Sequence, residues 1–457
     1  MTELINDLGA LDAAHVLHPW DELGNTDHPL VIARGERCHL WDDSGNRYFD
    51  AVGGLWCTNI GLGRREMADA IAEQAMNLAF SSTFVDMTNA PMTLLAAKLA
   101  ALAPPSLDHV HFTTGGSTAI DSAYRMAHFT QAALGHPERT HMIARHHSYH
   151  GSTHAAMSLG LRDGDRAPGF THVTDTIHHI GAPYMYRRPD GMDAAAFTDH
   201  LIAEFEAKIE EIGADRIAAF FAEPIQASGG VLVPEDDYLK RMWQVCQDNG
   251  ILFVADEVVT AYGRLGHWFA SYGEYGVTPD LICCAKGLSS GYQPIGAVLL
   301  SDAVHKAITS QPWYTSGYTY SGHPVACAAA LKNIEILERE EILPHVRDVG
   351  PYFQEQLAGL NDLAIVGDTR GRGLIGCVEN VADKVTKRPL GDDLDIGRRI
   401  SDAAEKRGLL VRPIGALNVM SPPLILKRQD VDFISENLRG AIVDVMDGLV
   451  REHVKIG

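Results

Sequence analysis

An apolar strand that ends at a lysine constrains this chain more than any other stretch. Residues 280–296 read Asp-Leu-Ile-Cys-Cys-Ala-Lys-Gly-Leu-Ser-Ser-Gly-Tyr-Gln-Pro-Ile-Gly, so a hydrophobic run reaches Lys286 and a loop with glycines and a proline follows. A run that is hydrophobic on both faces and is closed by turn residues predicts a buried strand of a parallel sheet. Ligands of open α/β sheets bind at the carboxyl ends of the strands, which is where Lys286 falls. Partial desolvation there favours the neutral amine, a nucleophile for carbonyl groups.

The size and charge of the chain limit the classes of protein to consider. Its 457 residues suffice for a large core and two domains, and 46% hydrophobic with 21% charged residues is ordinary for a globular protein. A formal charge of −21 argues against nucleic acid or an anionic membrane surface as a partner. No window has the length of a membrane span, and the amino terminus lacks a basic region before an apolar one. Seven cysteines without a CxxC pair indicate reduced thiols, so we expect a cytoplasmic protein.

A strand, a glycine turn and a helix follow one another at residues 109–134. The strand 109–113 runs into Thr114-Gly-Gly-Ser117, and a helix is predicted from Thr118 to about Leu134. This order presents free backbone N–H groups and the positive end of a helix to a phosphate, and the Ser117 hydroxyl adds a donor. A serine that only caps the helix is the structural alternative. The turn formed by Gly115, Gly116 and Ser117 is therefore a candidate phosphate site.

Three more predicted strands end in a side chain that can take part in chemistry. They are Tyr149 after strand 140–145, Glu223 after strand 216–222, and Asp256 at the end of strand 251–256. The carboxyl ends of parallel strands meet at one edge of a sheet. We therefore expect these side chains to lie close to Lys286 and to the glycine turn.

Together these groups match what pyridoxal phosphate (PLP) requires of a protein. An amine must hold its aldehyde as a Schiff base, a carboxylate must keep its ring nitrogen protonated, and backbone donors must bind its phosphate. Lys286, Asp256 and the glycine turn supply these groups. The structural alternatives are a lysine that reaches water from a strand end and an aspartate that caps the next turn. The presence of all three groups favours the cofactor interpretation.

Four histidines after the predicted strand 140–145 suggest a metal site as one hypothesis. They are His146, His147, His150 and His154. The segment lacks the HExxH pattern and any paired cysteine, and it is predicted to be a loop. Packed or solvated histidines are favoured, and no metal site is predicted.

The rest of the chain is predicted to alternate strands and helices without repeats or flexible linkers. Val31–Leu40, a turn at 42–46 and Arg47–Asp50 have the pattern of strand, turn and strand. The loop Ala51–Gly63 has too many glycines for regular structure, and its Trp56 either lines a pocket or packs in the core. Further helices are predicted at 64–80, 91–102, 196–212, 236–249, 322–342, 347–360, 395–407 and 429–452, and further strands at 295–300, 363–367, 373–379, 410–412 and 418–421.

The most specific short motifs spread from residue 55 to residue 412. They are Leu55-Trp56, Ser148-Tyr-His-Gly151, Glu223-Pro, Ala255-Asp-Glu-Val258, Ala285-Lys-Gly-Leu-Ser-Ser-Gly-Tyr292 with Pro294, Tyr318-Thr-Tyr-Ser-Gly-His-Pro324, and Arg412. Together they resemble class III aminotransferases, PLP-dependent enzymes of fold type I that include ω-amino acid:pyruvate aminotransferases. The resemblance implies an α/β fold: a large domain on a mostly parallel sheet of seven strands, and a smaller α/β domain built from both termini. The expected segments are 1–60 (small domain), 61–325 (large domain) and 326–457 (small domain).

The resemblance also implies a role for each candidate residue of the cofactor site. Lys286 would form the Schiff base, and Asp256 would face the ring nitrogen. The others would surround the cofactor: Tyr149 and Val258 on its two faces, Gly115, Gly116 and Ser117 at its phosphate, Glu223 on its ring hydroxyl side, and Thr319 at the phosphate of a neighbouring subunit. The last role implies a homodimer, or a tetramer, with shared active sites. Many members carry a glutamate where this chain has Thr118, so the wall beside the phosphate turn is expected to differ.

The implied reaction is a ping-pong transfer of an amino group from an amine donor to a keto acid, with pyruvate as the expected acceptor. Lys286 would move the proton. Arg412 would bind the carboxylate of the substrate, and the aromatic residues Trp20, Trp56, Phe84 and Tyr149 would line the substrate pocket. The donors favoured are β-alanine, taurine, diamines or arylalkylamines. A PLP-dependent aminomutase or decarboxylase is the alternative within this fold, and a catalytically silent scaffold is the alternative from another class.

Overall fold

The computed structural model describes residues 8–20, 30–162 and 164–456. The predicted segment 1–60 therefore lies partly outside the described residues. The strands are β1 (Ile32–Glu36), β2 (His39–Asp42), β3 (Arg47–Asp50), β4 (His109–Thr113), β5 (His141–Arg145), β6 (Ile177–Ile180), β7 (Ile217–Ala222), β8 (Leu252–Asp256), β9 (Leu281–Cys284), β10 (Gly296–Leu300), β11 (Val366–Arg372), β12 (Ile375–Asn380), β13 (Leu409–Leu410), β14 (Arg412–Ile414) and β15 (Leu417–Met420).

Helices connect and cover these strands. They are α1 (Leu8–His15), α2 (Gly53–Trp56), α3 (Arg65–Asn77), α4 (Ala90–Leu102), α5 (Gly116–Ala133), α6 (His154–Leu159), α7 (Ala194–Ile212), α8 (Tyr238–Asp248), α9 (Ala270–Gly273), α10 (Asp302–Thr309), α11 (Pro324–Arg339), α12 (Ile342–Ala358), α13 (Ile396–Glu405) and α14 (Arg428–Arg451). No helix in these parts of the chain combines the length and the hydropathy that crossing a membrane requires.

A mixed sheet of seven strands forms the centre of the fold. Its order is β4-β10-β9-β8-β7-β5-β6. Only β10 runs against its neighbours β4 and β9, so the predicted mostly parallel sheet is confirmed. Every residue of β7 and β9 is buried, because helices cover both faces of the sheet. Along β9, Leu281 and Cys283 pack into one apolar cluster, whereas Ile282 and Cys284 pack into the other.

Two smaller sheets bring the ends of the chain together. One has the order β1-β2-β3-β13, and β13 from the carboxyl-terminal part pairs in parallel with β3 through Leu409 opposite Phe49. The other has the order β11-β12-β15-β14. Helices α12 and α13 pack against it, and α14 packs on both of these helices. The predicted smaller α/β unit built from both termini is confirmed. The exact boundaries at residues 60 and 325 remain a prediction.

The predicted single strand Val31–Leu40 is wrong. The chain turns at Arg37, which has a φ of 53°, and the strands β1 and β2 form a hairpin around it. Arg37 and Leu62 exchange both backbone hydrogen bonds at 2.9 Å, so Arg37 pairs with the glycine-rich loop instead of continuing the strand.

The predicted helices 322–342 and 347–360 are also wrong at their junction. Helix α11 ends at Arg339, and α12 begins five residues earlier than predicted, at Ile342. Glu341 between them has a left-handed backbone with a φ of 51°, which breaks the helical path although the hydrophobic pattern continues.

Candidate active site

A cavity of about 410 Å³ lies at the carboxyl ends of the central strands. Eight residues predicted for the site line it: Gly115, Gly116, Ser117, Tyr149, Glu223, Asp256, Val258 and Lys286. They come from different strand ends, and the parallel topology places those ends at one edge of the sheet. The expected convergence of these strand ends is what the fold shows.

Lys286 follows β9 at the start of a short 3₁₀ turn, Lys286–Leu288. It has a φ of 31°, a left-handed conformation that is strained for a lysine and that concentrates at functional sites. Burial lowers the pKa of its amine, and the negative charge of Asp256 opposes this shift. Gly287 is required beside it, since a Cβ there would lie 2.4 Å from Asn59 Nδ2. The turn therefore holds an amine whose pKa is lowered by burial.

Asp256 ends β8 and is 4% exposed. Its Oδ1 accepts a hydrogen bond from the Val258 N–H at 3.1 Å, and its Oδ2 lies 2.7 Å from Nδ1 of His150. The His150 side chain is fully buried. A buried carboxylate requires such partners, and these bonds fix the orientation of its two oxygens. The pattern around His150 predicts a packed or solvated histidine and does not indicate this contact. The sequence feature that could have indicated the contact is Asp256 itself, a carboxylate predicted to be buried and therefore to need a partner.

Glu223 forms the wall between Tyr149 and Asp256. Its Oε1 accepts a hydrogen bond from the Tyr149 N–H at 3.2 Å, and its Oε2 accepts one from the Ala227 N–H at 3.0 Å. Burial raises the pKa of its carboxyl group to about 7, and the negative charge of Asp256 also raises it, whereas the charge of His150 opposes the shift. The side chain therefore anchors two loops of the site by its oxygens.

The glycine turn opens directly into α5, which begins at Gly116 and not at the predicted Thr118. A Cβ on Gly116 would lie 3.0 Å from Val258 Cγ1, so this close approach of backbone and side chain favours glycine. The Ser117 hydroxyl accepts a hydrogen bond from the Ser152 N–H at 3.0 Å. The early start leaves the backbone donors of Gly116 and Ser117 in the first turn of an 18-residue helix, the arrangement that binds anions.

Thr118, the residue that departs from the resembled pattern, closes this turn. Its hydroxyl accepts a hydrogen bond from the Thr114 N–H at 3.2 Å and donates one to the Gly115 carbonyl at 2.9 Å. A threonine thus supplies a local contact that stabilises the loop before α5.

Five other predicted residues do not line this cavity. Trp20 is 52% exposed and meets the edge of Tyr149, with ring centroids 5.8 Å apart, and Trp56 is buried in the hydrophobic core at 4% exposure. Phe84 and Thr319 are exposed in loops that approach each other, since a Cβ on Gly317 would lie 3.3 Å from the Phe84 ring. Arg412 begins β14 and is partly buried.

The possible metal ligands of the described residues lie elsewhere. Asp108, His109 and Asp302 place ligand atoms within 4.8 Å of one another. This group is at the amino end of β4, whereas the cavity is at the carboxyl end of the same strand. Of the four histidines predicted to lie in a loop, His154 instead begins α6, His150 contacts Asp256, and His146 packs near His179.

The residues of the cavity fit PLP. They combine a buried amine, a carboxylate with fixed oxygens, and the amino end of a helix beside a glycine that leaves room for a bound group. An amine for the aldehyde, an acid for the ring nitrogen and backbone donors for the phosphate are the set that this cofactor needs.

The chain matches known aminotransferases over nearly its whole length. The sequence profile described as Aminotransferase class-III matches residues 23–442. Putrescine–pyruvate aminotransferase of Pseudomonas aeruginosa is 37% identical over 426 residues, which are 93% of each chain. Diaminobutyrate–2-oxoglutarate transaminase of Halomonas elongata is 36% identical over 433 residues, 92% of each chain.

Solved structures show the same likeness in three dimensions. An (S)-enantioselective ω-transaminase from Thermomicrobium roseum superposes with a TM-score of 0.94 at 39% identity, covering 96% of this chain and 98% of that one. The ω-transaminase from Pseudomonas jessenii, solved in complex with PMP, gives a TM-score of 0.93 at 36% identity, with the same coverage. Fold, cavity and relatives agree, and the chain belongs to the class-III aminotransferases, as a PLP-dependent transaminase of fold type I.

Proposed function

We propose that this enzyme transfers the amino group of a primary amine or ω-amino acid to a keto acid, with pyruvate as the acceptor. The observation that carries the proposal is the convergence of the Lys286 amine, the paired Asp256 carboxylate and the amino end of α5 on one cavity. The likeness to a putrescine–pyruvate aminotransferase and to an ω-transaminase supports this substrate class.

Lys286 would hold the cofactor through its aldehyde carbon. When bound, PLP supplies an electron-accepting ring that stabilises the charge left when a C–H bond beside the amine nitrogen breaks. Once free, Lys286 Nζ would serve as the general base that takes the proton from that substrate carbon and as the general acid that returns it later in the reaction. Burial lowers the pKa of Lys286, which favours Nζ as a base in the first of these tasks.

The other side chains would hold and orient the cofactor. Asp256 would keep the ring nitrogen protonated, with His150 fixing its Oδ2. Tyr149 and Val258 would bound the two faces of the ring. Glu223 would stand on its hydroxyl side. The Gly115–Ser117 turn would bind the phosphate through backbone N–H groups.

The substrate side of the site would be built from more distant residues. Arg412 would bind the carboxylate of the keto acid, and Trp20, Trp56 and Phe84 would supply apolar walls with Tyr149. Arg412 and the three residues Trp20, Trp56 and Phe84 do not line the cavity of a single chain. We place Phe84, together with Thr319, at the active site of a second subunit.

An exposed apolar patch supports this homodimer. It comprises Phe80, Phe84, Val85, Met87, Trp313 and Tyr320, of which Val85 is 93% and Trp313 74% exposed. Phe84, Val85 and Trp313 line one groove, and the rings of Phe80 and Tyr320 lie 5.9 Å apart. Patches of this kind on a globular protein mark interfaces. A homodimer, or a tetramer built from it, would bury them.

The state of the cysteines supports the expected cytoplasmic location. All seven are free thiols, and six of them are buried. Free thiols persist in a reducing compartment.

The test is a panel of amine donors with pyruvate as the acceptor, read as alanine formed. We expect alanine from ω-amino acids, diamines or arylalkylamines with the wild-type enzyme, and none with Lys286→Ala. Lys306→Ala, which changes an exposed lysine of α10, is the matched control and is expected to retain activity. Turnover of a donor without alanine would instead support an aminomutase or decarboxylase. A protein that stays colourless with added PLP would overturn the proposal.

A further inference from the structure

The segment that begins at Lys286 has an unusual backbone. Lys286, Ser290 and Gly291 all have left-handed φ values, of 31°, 52° and 77°. The first two residues are not glycine, and this conformation is unfavourable for them unless the surrounding structure enforces it. The contacts that hold segment 286–291 therefore determine where the Lys286 amine lies.

Asn333, a residue of α11, makes three of these contacts. Its Nδ2 donates hydrogen bonds to the carbonyl oxygens of Gly287 and Leu288, both at 2.9 Å. Its Oδ1 accepts a hydrogen bond from the Ser290 hydroxyl at 2.6 Å. The whole residue is buried, with an exposure of 0%. One amide thus uses both of its donor hydrogens and its acceptor on the segment that follows Lys286.

The loop 51–63 holds the same segment from another side. The Ser290 hydroxyl accepts a hydrogen bond from the Ile60 N–H at 3.3 Å. The neighbouring Asn59 packs on Gly287, where a Cβ would lie 2.4 Å from Asn59 Nδ2. The hydroxyl of Ser290 therefore connects the Asn333 amide to this loop.

The Asn333 amide offsets the strain of the turn. Burying a carbonyl without a donor is unfavourable, so a segment that lost this amide would relax towards a more common backbone conformation. A change of the backbone at Lys286 also moves its side chain, because the Cα–Cβ bond is fixed to that backbone. Displacing a catalytic group by about 1 Å can slow a reaction by about 10²-fold.

We propose that Asn333 is a positioning residue for transamination, which holds the strained turn and thereby keeps the Lys286 amine buried in the cavity. This inference rests on the role of Lys286 in the proposed function. Asn333 does not line the cavity, so it acts through the Gly287 and Leu288 carbonyls.

The pKa of the Lys286 amine responds to such a displacement. Burial lowers this pKa, whereas the nearby ionisable groups Asp256, Cys57 and Glu223 oppose the shift. A released turn would let the amine approach water, so the effect of burial would weaken and the pKa would rise. A substitution at Asn333 leaves the three opposing groups unchanged.

The experiment compares Asn333→Leu with the matched control Asn380→Leu. Leucine keeps the branched shape of asparagine and removes every hydrogen bond of its amide. Asn380 at the end of β12 is equally buried, and its Nδ2 donates hydrogen bonds to the Ala416 carbonyl at 2.8 Å and to Asn418 Oδ1 at 3.0 Å. We expect the melting temperature of both variants to fall, because each loses buried hydrogen bonds.

Two further readouts separate positioning from stability. With the PLP-loaded enzyme, an amine donor and pyruvate, we expect kcat of Asn333→Leu to fall about tenfold or more and the KM values to stay within about twofold. The other readout is the rate at which PLP attaches to the PLP-free enzyme, followed by absorbance at different pH values, because only a neutral amine attacks the aldehyde. We expect the midpoint of this pH profile to rise by about one unit in Asn333→Leu. Asn380→Leu should match the wild type in both, and Lys286→Ala should not attach PLP.

Ser290→Ala is the second variant, because it removes one hydrogen bond of the Asn333 amide and leaves the other two. We expect both readouts to change in the same direction as in Asn333→Leu, and by less. If Asn333→Leu does not fold, unchanged readouts in Ser290→Ala would overturn the inference.

A wild-type kcat and a wild-type midpoint in Asn333→Leu would also overturn it, as would equal changes in Asn380→Leu, since the amide would then only stabilise the fold. A wild-type enzyme that makes no alanine with any donor would contradict the proposed function. The pH profile of PLP attachment requires no turnover and would still decide the role of Asn333.

Discussion

At the scale of single residues, the site depends on which buried groups carry a charge. Lys286 and Asp256 were predicted from the sequence because each ends a hydrophobic strand, where burying an ionisable group without a partner is unfavourable. His150 was not assigned to Asp256, since their contact joins a loop to a strand that is 106 positions away. The sequence identifies the ionisable residues, whereas only the fold shows which of them are in contact.

Glu223 makes the stability of the PLP-free enzyme depend on pH. Its folded pKa of about 7 lies above the ordinary value of 4.5, so the folded state holds a proton that the unfolded state releases. Its contribution is therefore complete below pH 4.5 and is lost as the pH rises through 7. We expect the free energy of unfolding of the wild type to fall between pH 5 and 8 by roughly 2 kcal/mol more than that of Glu223→Gln.

Denaturant titrations of both PLP-free proteins at pH 5 and pH 8 measure this difference. Glutamine also loses one acceptor for a backbone N–H, but that cost is equal at both pH values and cancels from the comparison. Equal pH dependence of wild type and variant would show that the Glu223 carboxyl group is ionised throughout.

At the scale of elements, periodicity predicted where helices and strands exist better than where they begin. The apolar runs of β7 and β9 were recognised because a parallel strand is buried on both faces. The turn at Arg37 and the break at Glu341 were not, because both depend on a positive φ in residues that rarely adopt it. The early start of α5 was missed because Gly116 and Ser117 are poor indicators of a helix.

Because Gly116 has no Cβ, the amino end of α5 can lie close to the Val258 side chain. In Gly116→Ala the new Cβ would press on Val258 at 3.0 Å and displace either the helix end or the valine. Overpacking of this kind costs about 1–3 kcal/mol, so we expect the dissociation constant of PLP to rise roughly tenfold or more. Fluorescence or absorbance titration of the PLP-free enzyme with PLP measures it.

The double variant Gly116→Ala/Val258→Ala serves as the control for this clash. Removing the two methyl groups of Val258 makes room for the new Cβ of Ala at position 116. We therefore expect the double variant to recover part of the PLP affinity that the single variant loses. No recovery would indicate that the alanine acts on the backbone of the turn and not through Val258.

At the scale of the whole molecule, the large domain, the small domain and the mostly parallel sheet all followed from the sequence. A single chain leaves the predicted residues Phe84 and Thr319 away from the cavity, within or beside the exposed apolar patch. Their role depends on a second subunit. Periodicity within one chain carries no information on how two copies meet, so this part rests on the resemblance and on the patch.

Val85→Asp tests the proposed dimer. Val85 is 93% exposed and has a φ of 65°, a conformation that aspartate adopts more readily than valine, so the single chain should fold normally. We expect the charge to prevent burial of the patch, giving a monomer in light scattering and loss of alanine formation. Val385→Asp alters a residue that is 92% exposed and is the matched control, expected to remain dimeric and active. A fully active monomeric variant would contradict shared active sites.

The parallel pairing of β3 with β13 also affects how the protein is made. The partner strand for Phe49 and Asp50 is Leu409–Leu410, which is synthesised about 360 residues later. The hairpin of β2 and β3 must therefore wait with an unpaired edge while the central sheet forms. Closure of that edge is the step in biosynthesis at which a chaperone would have the longest time to bind.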